Sequence, residues 1–266
     1  MPAPNDCHWT NDAPPTGNRP LAIVTGAARR VGAAIATALG GAGCDVLVTY
    51  RQSEQAARDT CAALASASGV CAGALLLDLD NPATAASKIG RVARSLPRVD
   101  VLVHNAAAYE STPFGDITQE QALGMWRTNA LSPLLLSQEL APLLCASPLP
   151  CGGAIVCMVD MHALGQPRKR FSPYLMSKAA LHAMAQALAL ELAPEVRVNA
   201  VAPGVVAFPE VGEEADPDMQ QRYLSHVPLA RSGSLEEAAR AVRFLALEAT
   251  YTTGEVLRVD GGRFLR

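Results

Sequence analysis

Two residues one helical turn apart, Tyr174 and Lys178 in "SPYLMSKAALHAMAQALALEL", have the types and spacing for acid–base chemistry. Side chains four apart on a helix share a face. An ammonium held beside a phenol favours the phenolate and draws its pKa down from about 10. A phenol tuned in this way can give a proton to a group that is receiving a hydride. Upstream, Asp160 closes the apolar run "GAIVCMVD", where a carboxylate could work with the phenol or could simply cap the turn after a strand. Asn129 lies in "RTNALSP", inside a helical stretch that disfavours asparagine unless its side chain is used.

A second set of residues has the marks of a phosphate and nucleotide site. "TGAARRVG" follows a short apolar run directly, so Gly26 permits a tight turn and Gly32 lets a helix sit close to a sheet. That helix would aim its first N–H groups, near Val31, at an anion, and Arg29 and Arg30 add cations suited to phosphate oxygens. In "TYRQSE", Arg51 and Ser53 stand where a carboxylate would otherwise meet a free ribose hydroxyl. A cation there fits a 2′-phosphate, which predicts NADPH over NADH. Glu54 is close by, but it opens a helix and suits that terminus equally well. Asp78, with Leu79 after it, ends the third apolar run and either accepts from an adenine amino group or is a plain polar strand end. "HNAAAY" offers Asn105 and Ala106 for a close approach of backbone to cofactor. "VAPG" brings Pro203 and Gly204, followed by Val205, to the same end of the sheet.

These residues share a position because of the elements that carry them. "LAIVT", "DVLVTY", "AGALLLD", "VDVLVHN", "GAIVCMVD", "VRVNAVAP" and "EVLRVDGG" read as seven strands. Helices are expected from about Val31 to Leu39, from near Ser53, from about Pro82, from Gln119 to Leu144 and from Tyr174 to Leu192. Such alternation predicts one α/β domain, a doubly wound, mostly parallel sheet with helices on both faces. Nearly every candidate residue then falls at the carboxyl ends of strands, where open α/β sheets bind ligands. The domain is expected over 20–266, preceded by a disordered leader over 1–19 that is rich in Pro, Asn and Asp. The irregular stretch from Gly204 to about Arg222 is long enough to be a binding loop or lid.

A chain of 266 residues, half of them apolar, can bury a large core, and a net charge of −3 gives no sign of a nucleic-acid partner. Seven scattered cysteines with no CxxC pair suggest a reducing compartment and no metal site. With no signal-peptide pattern and no apolar run of membrane-spanning length, the expected location is cytoplasmic, without a membrane partner. Arg168, Lys169 and Arg170 read as a solvated loop, and His162 as a residue at the rim of the site.

The ordered set "TGAARRVG", "HNAA", "NALSP", "YLMSK", "VNAVAPG" and "VDGG" resembles the short-chain dehydrogenase/reductase family over residues 20–266. Within it, the basic turn "TGAARR", Asp160 in place of a serine, and Tyr109 after the Asn-Ala turn are similar to the pteridine reductase branch. The resemblance implies a Rossmann-type fold and NADPH-dependent reduction of a dihydropterin of the biopterin, monapterin or folate type. It makes Tyr174 the proton donor, Lys178 its tuner and a ligand of the nicotinamide ribose, and Asp160 the partner of Tyr174. It gives Asn129 a relay water, sets Arg30 between cofactor phosphate and pterin, and stacks Tyr109 on the pterin. It also implies a homotetramer built on the apolar helices. This chain differs from the branch by one extra residue between Asp160 and Tyr174, by His104 for the usual asparagine, and by Ala107 and Ala108 for hydroxyl residues. A carbonyl reductase of the same fold and a non-catalytic NADPH-binding sensor are the alternatives.

Overall fold

Runs of Val, Ile, Leu and Ala too short for helices pair into one sheet, and longer Ala- and Leu-rich stretches cover both of its faces. The computed structural model describes residues 7–10, 13–208 and 215–266. Its strands are β1 (Cys7–Trp9), β2 (Leu21–Val24), β3 (Asp45–Tyr50), β4 (Ala72–Leu76), β5 (Val101–His104), β6 (Gly153–Met158), β7 (Val196–Pro203) and β8 (Val256–Val259). The helices are α1 (Arg30–Gly41), α2 (Glu54–Ser68), α3 (Pro82–Ala93), α4 (Gln119–Trp126), α5 (Ser132–Cys145), α6 (Ser172–Glu191), α7 (Pro217–Leu224) and α8 (Leu235–Arg243).

The strand order is β1-β4-β3-β2-β5-β6-β7-β8, parallel throughout except for β1, which runs antiparallel to β4. β2, β3, β5 and β6 are buried along their whole length, as expected of strands covered on both faces. One core packs α3, α5 and α6 through residues such as Ile89, Leu140 and Leu181. The other packs α1, α2 and α8 through Ile35, Leu64 and Val242. Among the described residues, no helix is long and apolar enough to cross a membrane.

The sheet has eight strands rather than the seven expected, and the additional one comes from the supposed leader. Cys7, His8 and Trp9 pair with Leu75, Ala74 and Gly73, so residues 7–9 are ordered. A three-residue strand has no periodicity to read, and it forms because β4 offers an unpaired edge. Gly73 makes room for it: a Cβ there would lie 2.5 Å from the Trp9 ring. Residues 1–6 and 11–12 of the expected leader lie outside the described residues. The long helix expected over 119–144 is α4 and α5 joined by a π-helical turn, Arg127–Leu131.

Because β1 is held through that ring, Gly73→Ala is expected to destabilise the protein by about 1–3 kcal/mol, the usual cost of overpacking. Urea unfolding followed by tryptophan fluorescence checks this, and an unchanged midpoint would show that β1 contributes nothing to stability.

Candidate active site

Strand order reverses at the boundary between β2 and β5, which opens a crevice at the carboxyl ends of the strands. Thr25 joins the two sides. Its Oγ1 accepts from the N–H groups of Asn105 (3.0 Å) and Ala106 (3.1 Å). Asn105 Nδ2 in turn donates to the carbonyls of Thr25 (2.9 Å) and Gly26 (3.0 Å). Gly26 has φ +62°, and a Cβ on it would meet Ala106 Cα at 2.8 Å. On Gly32 a Cβ would stand 2.4 Å from the Gly26 carbonyl and 2.6 Å from Asn105 Nδ2. Only glycine fits either place, so α1 starts hard against the crevice with its N-terminus at the mouth.

A cleft of about 550 Å³ occupies this mouth, and Gly26, Arg29, Arg30, Val31 and Gly32 form one side of it. Arg51, Asp78 and Leu79 line its far end, and Asn105 and Ala106 its floor. The glycine cradle at a helix N-terminus, flanked by arginines, fits a nicotinamide dinucleotide. Arg51 Nε lies 3.2 Å from Asp78 Oδ1. Ser53 is not on the cleft wall; it accepts from Arg29 at 2.7 Å. Glu54 is turned along α2 to Arg58, at 2.8 Å. Pro203, Gly204 and Val205 line a smaller neighbouring cavity of about 210 Å³. Arg30 borders both cavities. Its φ of +54° is rare for a side-chain-bearing residue, and its guanidinium donates to the carbonyls of Ala207 (3.2 Å) and Phe208 (3.1 Å).

Lys178, only 2 % exposed, donates from Nζ to the Met158 carbonyl at 2.6 Å, fastening α6 to the end of β6. Burial pushes its pKa down to about 8, while Asp160 nearby acts in the opposite direction. One turn earlier the Tyr174 hydroxyl donates to Asp160 Oδ2 at 2.9 Å. The other oxygen, Oδ1, accepts from His162 N–H at 2.7 Å and caps the short 3₁₀ turn Met161–Leu164. One oxygen of Asp160 thus meets the phenol and the other caps the turn. The interval between Asp160 and Tyr174 is filled by that turn and the loop after it, where Gly165 and Arg170 have positive φ.

Asn129 lies in the π-helical turn, a feature found often at functional sites. Its Oδ1 accepts from Ala108 N–H (2.7 Å), and its Nδ2 donates to the Ala108 carbonyl (2.8 Å) and Ser177 Oγ (2.9 Å). The side chain thus clamps the loop after β5 to α6, beside Lys178. His104 is buried under this region with Nε2 2.8 Å from Ser137 Oγ. Burial, and then Lys178, push its pKa down to about 3, so the ring is neutral.

The smaller cavity shares Tyr174 and Tyr109 with the cleft and adds Asp160 and His162. Tyr109 stacks on Phe171 (5.0 Å between centroids, 22° between planes) and meets Tyr174 edge-on at 4.8 Å. Arg168 is not a solvated loop residue. It lines the cavity, donates to the Tyr109 hydroxyl at 3.2 Å, and sits 4.6 Å from the Phe171 ring centre. Lys169 and Arg170 are exposed, as expected. The sequence also left Phe171, Phe208 and Tyr223 unmarked. The only signal available was an aromatic within or beside a loop, which is common in any sequence. Residues 209–214 of the expected lid lie outside the described residues.

Lys178 gives this site a pH signature. Its pKa lies below the 10.5 of a free lysine, so the buried ammonium opposes folding below about pH 8, and that cost lifts as pH rises toward 10.5. Turnover that needs the ammonium should show kcat/KM falling as pH climbs through about 8. Lys178→Met should cost roughly 100-fold or more in turnover yet exceed the wild type in stability at pH 7, with the gap narrowing by pH 10. Denaturation and rate profiles of both proteins test the pair of trends; a gap independent of pH would contradict them.

The geometry has clear relatives. A family model described as enoyl-(acyl carrier protein) reductase matches residues 26–263. The structure of acetoin dehydrogenase YohF from Salmonella typhimurium is 34 % identical, with a TM-score of 0.83 over 93 % of this chain and 96 % of that one. A blue fluorescent protein from a metagenomic library, solved in complex with NADPH, is 30 % identical, with a TM-score of 0.82 over 92 % of this chain and 97 % of its own. Pteridine reductase 1 of Leishmania tarentolae is 32 % identical over 282 residues, 91 % of this chain and 96 % of that protein. With this fold and this coverage, the chain belongs to the short-chain dehydrogenase/reductase family of oxidoreductases, whose fold binds NAD(P).

Proposed function

We propose that the protein is an NADPH-dependent reductase of a dihydropterin, of the biopterin, monapterin or folate type, yielding the tetrahydro form. The observation that carries this reading is the 2.9 Å hydrogen bond from Tyr174 to Asp160 at the wall of an aromatic cavity. The cofactor would supply the hydride. Reducing a C=N bond also needs a proton at nitrogen, and a carboxyl group joined to a phenol is a suitable source. Lys178, held at the Met158 carbonyl, would keep positive charge beside Tyr174 and meet the ribose. Asn129 keeps α6 and the loop after β5 in register, and Tyr109 and Phe171 give a flat ring an aromatic wall.

NADPH is favoured over NADH by the far end of the cleft. Arg51 stands there with Asp78 as its sole ion-pair partner among the described residues, while Glu54 is neutralised by Arg58. A 2′-phosphate would share Arg51 with Asp78, and Arg29 lies on the same side. A second reading, an NADPH-dependent carbonyl reductase, draws support from the likeness to acetoin dehydrogenase and from Ala107 and Ala108, which offer a pterin no hydroxyl. A sensor without catalysis fits poorly with a complete Tyr174, Lys178 and Asn129 set. The apolar faces of α5 and α6 suit a homotetramer.

The reading is tested by following NADPH oxidation with 7,8-dihydrobiopterin, dihydromonapterin, dihydrofolate and simple ketones. Turnover of a dihydropterin is expected. Arg51→Ala should raise the KM for NADPH about tenfold or more, with little change for NADH. Turnover of ketones alone would favour the second reading.

A further inference from the structure

The smaller cavity that Asp160 lines also holds a buried hydroxyl that finds no acceptor among the described residues. Tyr223, on α7, lines that cavity together with Asp160, Tyr174, Arg30 and Arg168. Its hydroxyl oxygen is buried and makes no hydrogen bond of normal geometry among the described residues; the Val205 backbone N–H approaches the oxygen as a weak donor, which leaves the hydroxyl proton without an acceptor. Buried hydroxyls are nearly always partnered, and one left without a partner calls for a specific explanation.

The ring is not free to turn its hydroxyl elsewhere. Arg263 lies 5.5 Å from its centre on one side, and Phe208 and His162 meet it edge-on at 6.1 Å and 6.3 Å. The terminal turn carrying Arg263 is itself tied down, since Gln166 Nε2 donates to the Phe264 carbonyl at 3.0 Å and Phe264 N–H donates to Asp260 at 2.9 Å. Burial raises the phenol's pKa, and the Asp160 charge adds to this against the opposing Arg263 and Arg168. The group is therefore a protonated donor.

We propose that Tyr223 is a specificity-determining residue, whose hydroxyl donates to a second polar group of the substrate while the Tyr174–Asp160 pair serves the atom being reduced. The assignment rests on the reading that reduction takes place in this cavity, but not on which substrate class is reduced. It requires a substrate with a hydrogen-bond acceptor apart from the reacting bond, as in the polar edge of a dihydropterin or the second oxygen of a vicinal dicarbonyl. A ketone with one oxygen has nothing to offer Tyr223.

Tyr223→Phe removes only the hydroxyl, so packing is kept. Three compounds separate the possibilities: 7,8-dihydrobiopterin, diacetyl, and 2-butanone, which lacks the second oxygen of diacetyl. KM and calorimetric affinity for the NADP⁺-loaded enzyme would be measured for each. The variant is expected to weaken binding of dihydrobiopterin or diacetyl about five- to tenfold, with kcat changed less than about twofold and a clearly smaller effect on 2-butanone. Its melting temperature should stay close to that of the wild type, because the hydroxyl has no acceptor within the protein to lose. Equal losses on diacetyl and 2-butanone, wild-type affinity throughout, a lowered melting temperature, or a wild-type enzyme that binds none of the three would overturn the assignment. Selective loss on diacetyl with no binding of dihydrobiopterin would sustain Tyr223 and sink the pterin reading.

Discussion

The site depends on holding an ammonium ion where water does not reach. Lys178 is enclosed between α6 and the sheet, and its Nζ donates to the carbonyl of Met158 at the end of β6. Burying a charge is costly, and the fall of its pKa toward 8 reflects that cost. The same bond fixes the first turns of α6 relative to β6. Tyr174 is then set by helical geometry, and Asp160 by its place two residues beyond Met158. Their 2.9 Å contact follows from that one attachment rather than from a separate device.

Around this anchor the fold supplies two unlike surroundings on either side of Tyr174. Toward β2 and β5 the walls are backbone, glycine and alanine, with arginines at the ends, and the space suits a long cofactor with phosphates. Toward α7 they are aromatic rings with Asp160, Arg168 and Tyr223 among them. Arg30 marks the division, kept in a left-handed conformation by its bonds to the loop after β7. A phenol at such a boundary has access to both compartments, as a residue delivering a proton beside a hydride donor must.

Much of this was legible in the sequence because it depends on local pattern. The seven parallel strands, the turn at Gly26 and Gly32, and the placement of Tyr174 and Lys178 one turn apart on one helix are set by periodicity and short spacings. Asp160 was marked because it ends a strand in front of that helix. What escaped notice depends on contacts between distant segments. β1 is three residues that pair only because β4 has an edge and Gly73 leaves room for Trp9. Arg168 looked like one of three solvated cations, yet only its position over Phe171 and beside Tyr109 separates it from Lys169 and Arg170. Ser53, expected at the cofactor, accepts from Arg29 outside the cleft wall, a contact between two polar neighbours that spacing does not resolve. Tyr223 comes from a short, mixed helix whose relation to Asp160 exists only in the folded chain.

The central claim is that Asp160 shares in proton delivery through Tyr174 and does more than cap a turn. Asp160→Asn retains an oxygen for the His162 N–H and nearly the same shape, but its amide cannot exchange a proton with Tyr174. Single-turnover oxidation of bound NADPH by 7,8-dihydrobiopterin, compared in the wild type and this variant, tests the claim most directly. A fall of about 100-fold or more in that step, with NADPH affinity and melting temperature unchanged, is the predicted result. A rate within about twofold of the wild type would contradict it and leave Asp160 as a structural cap.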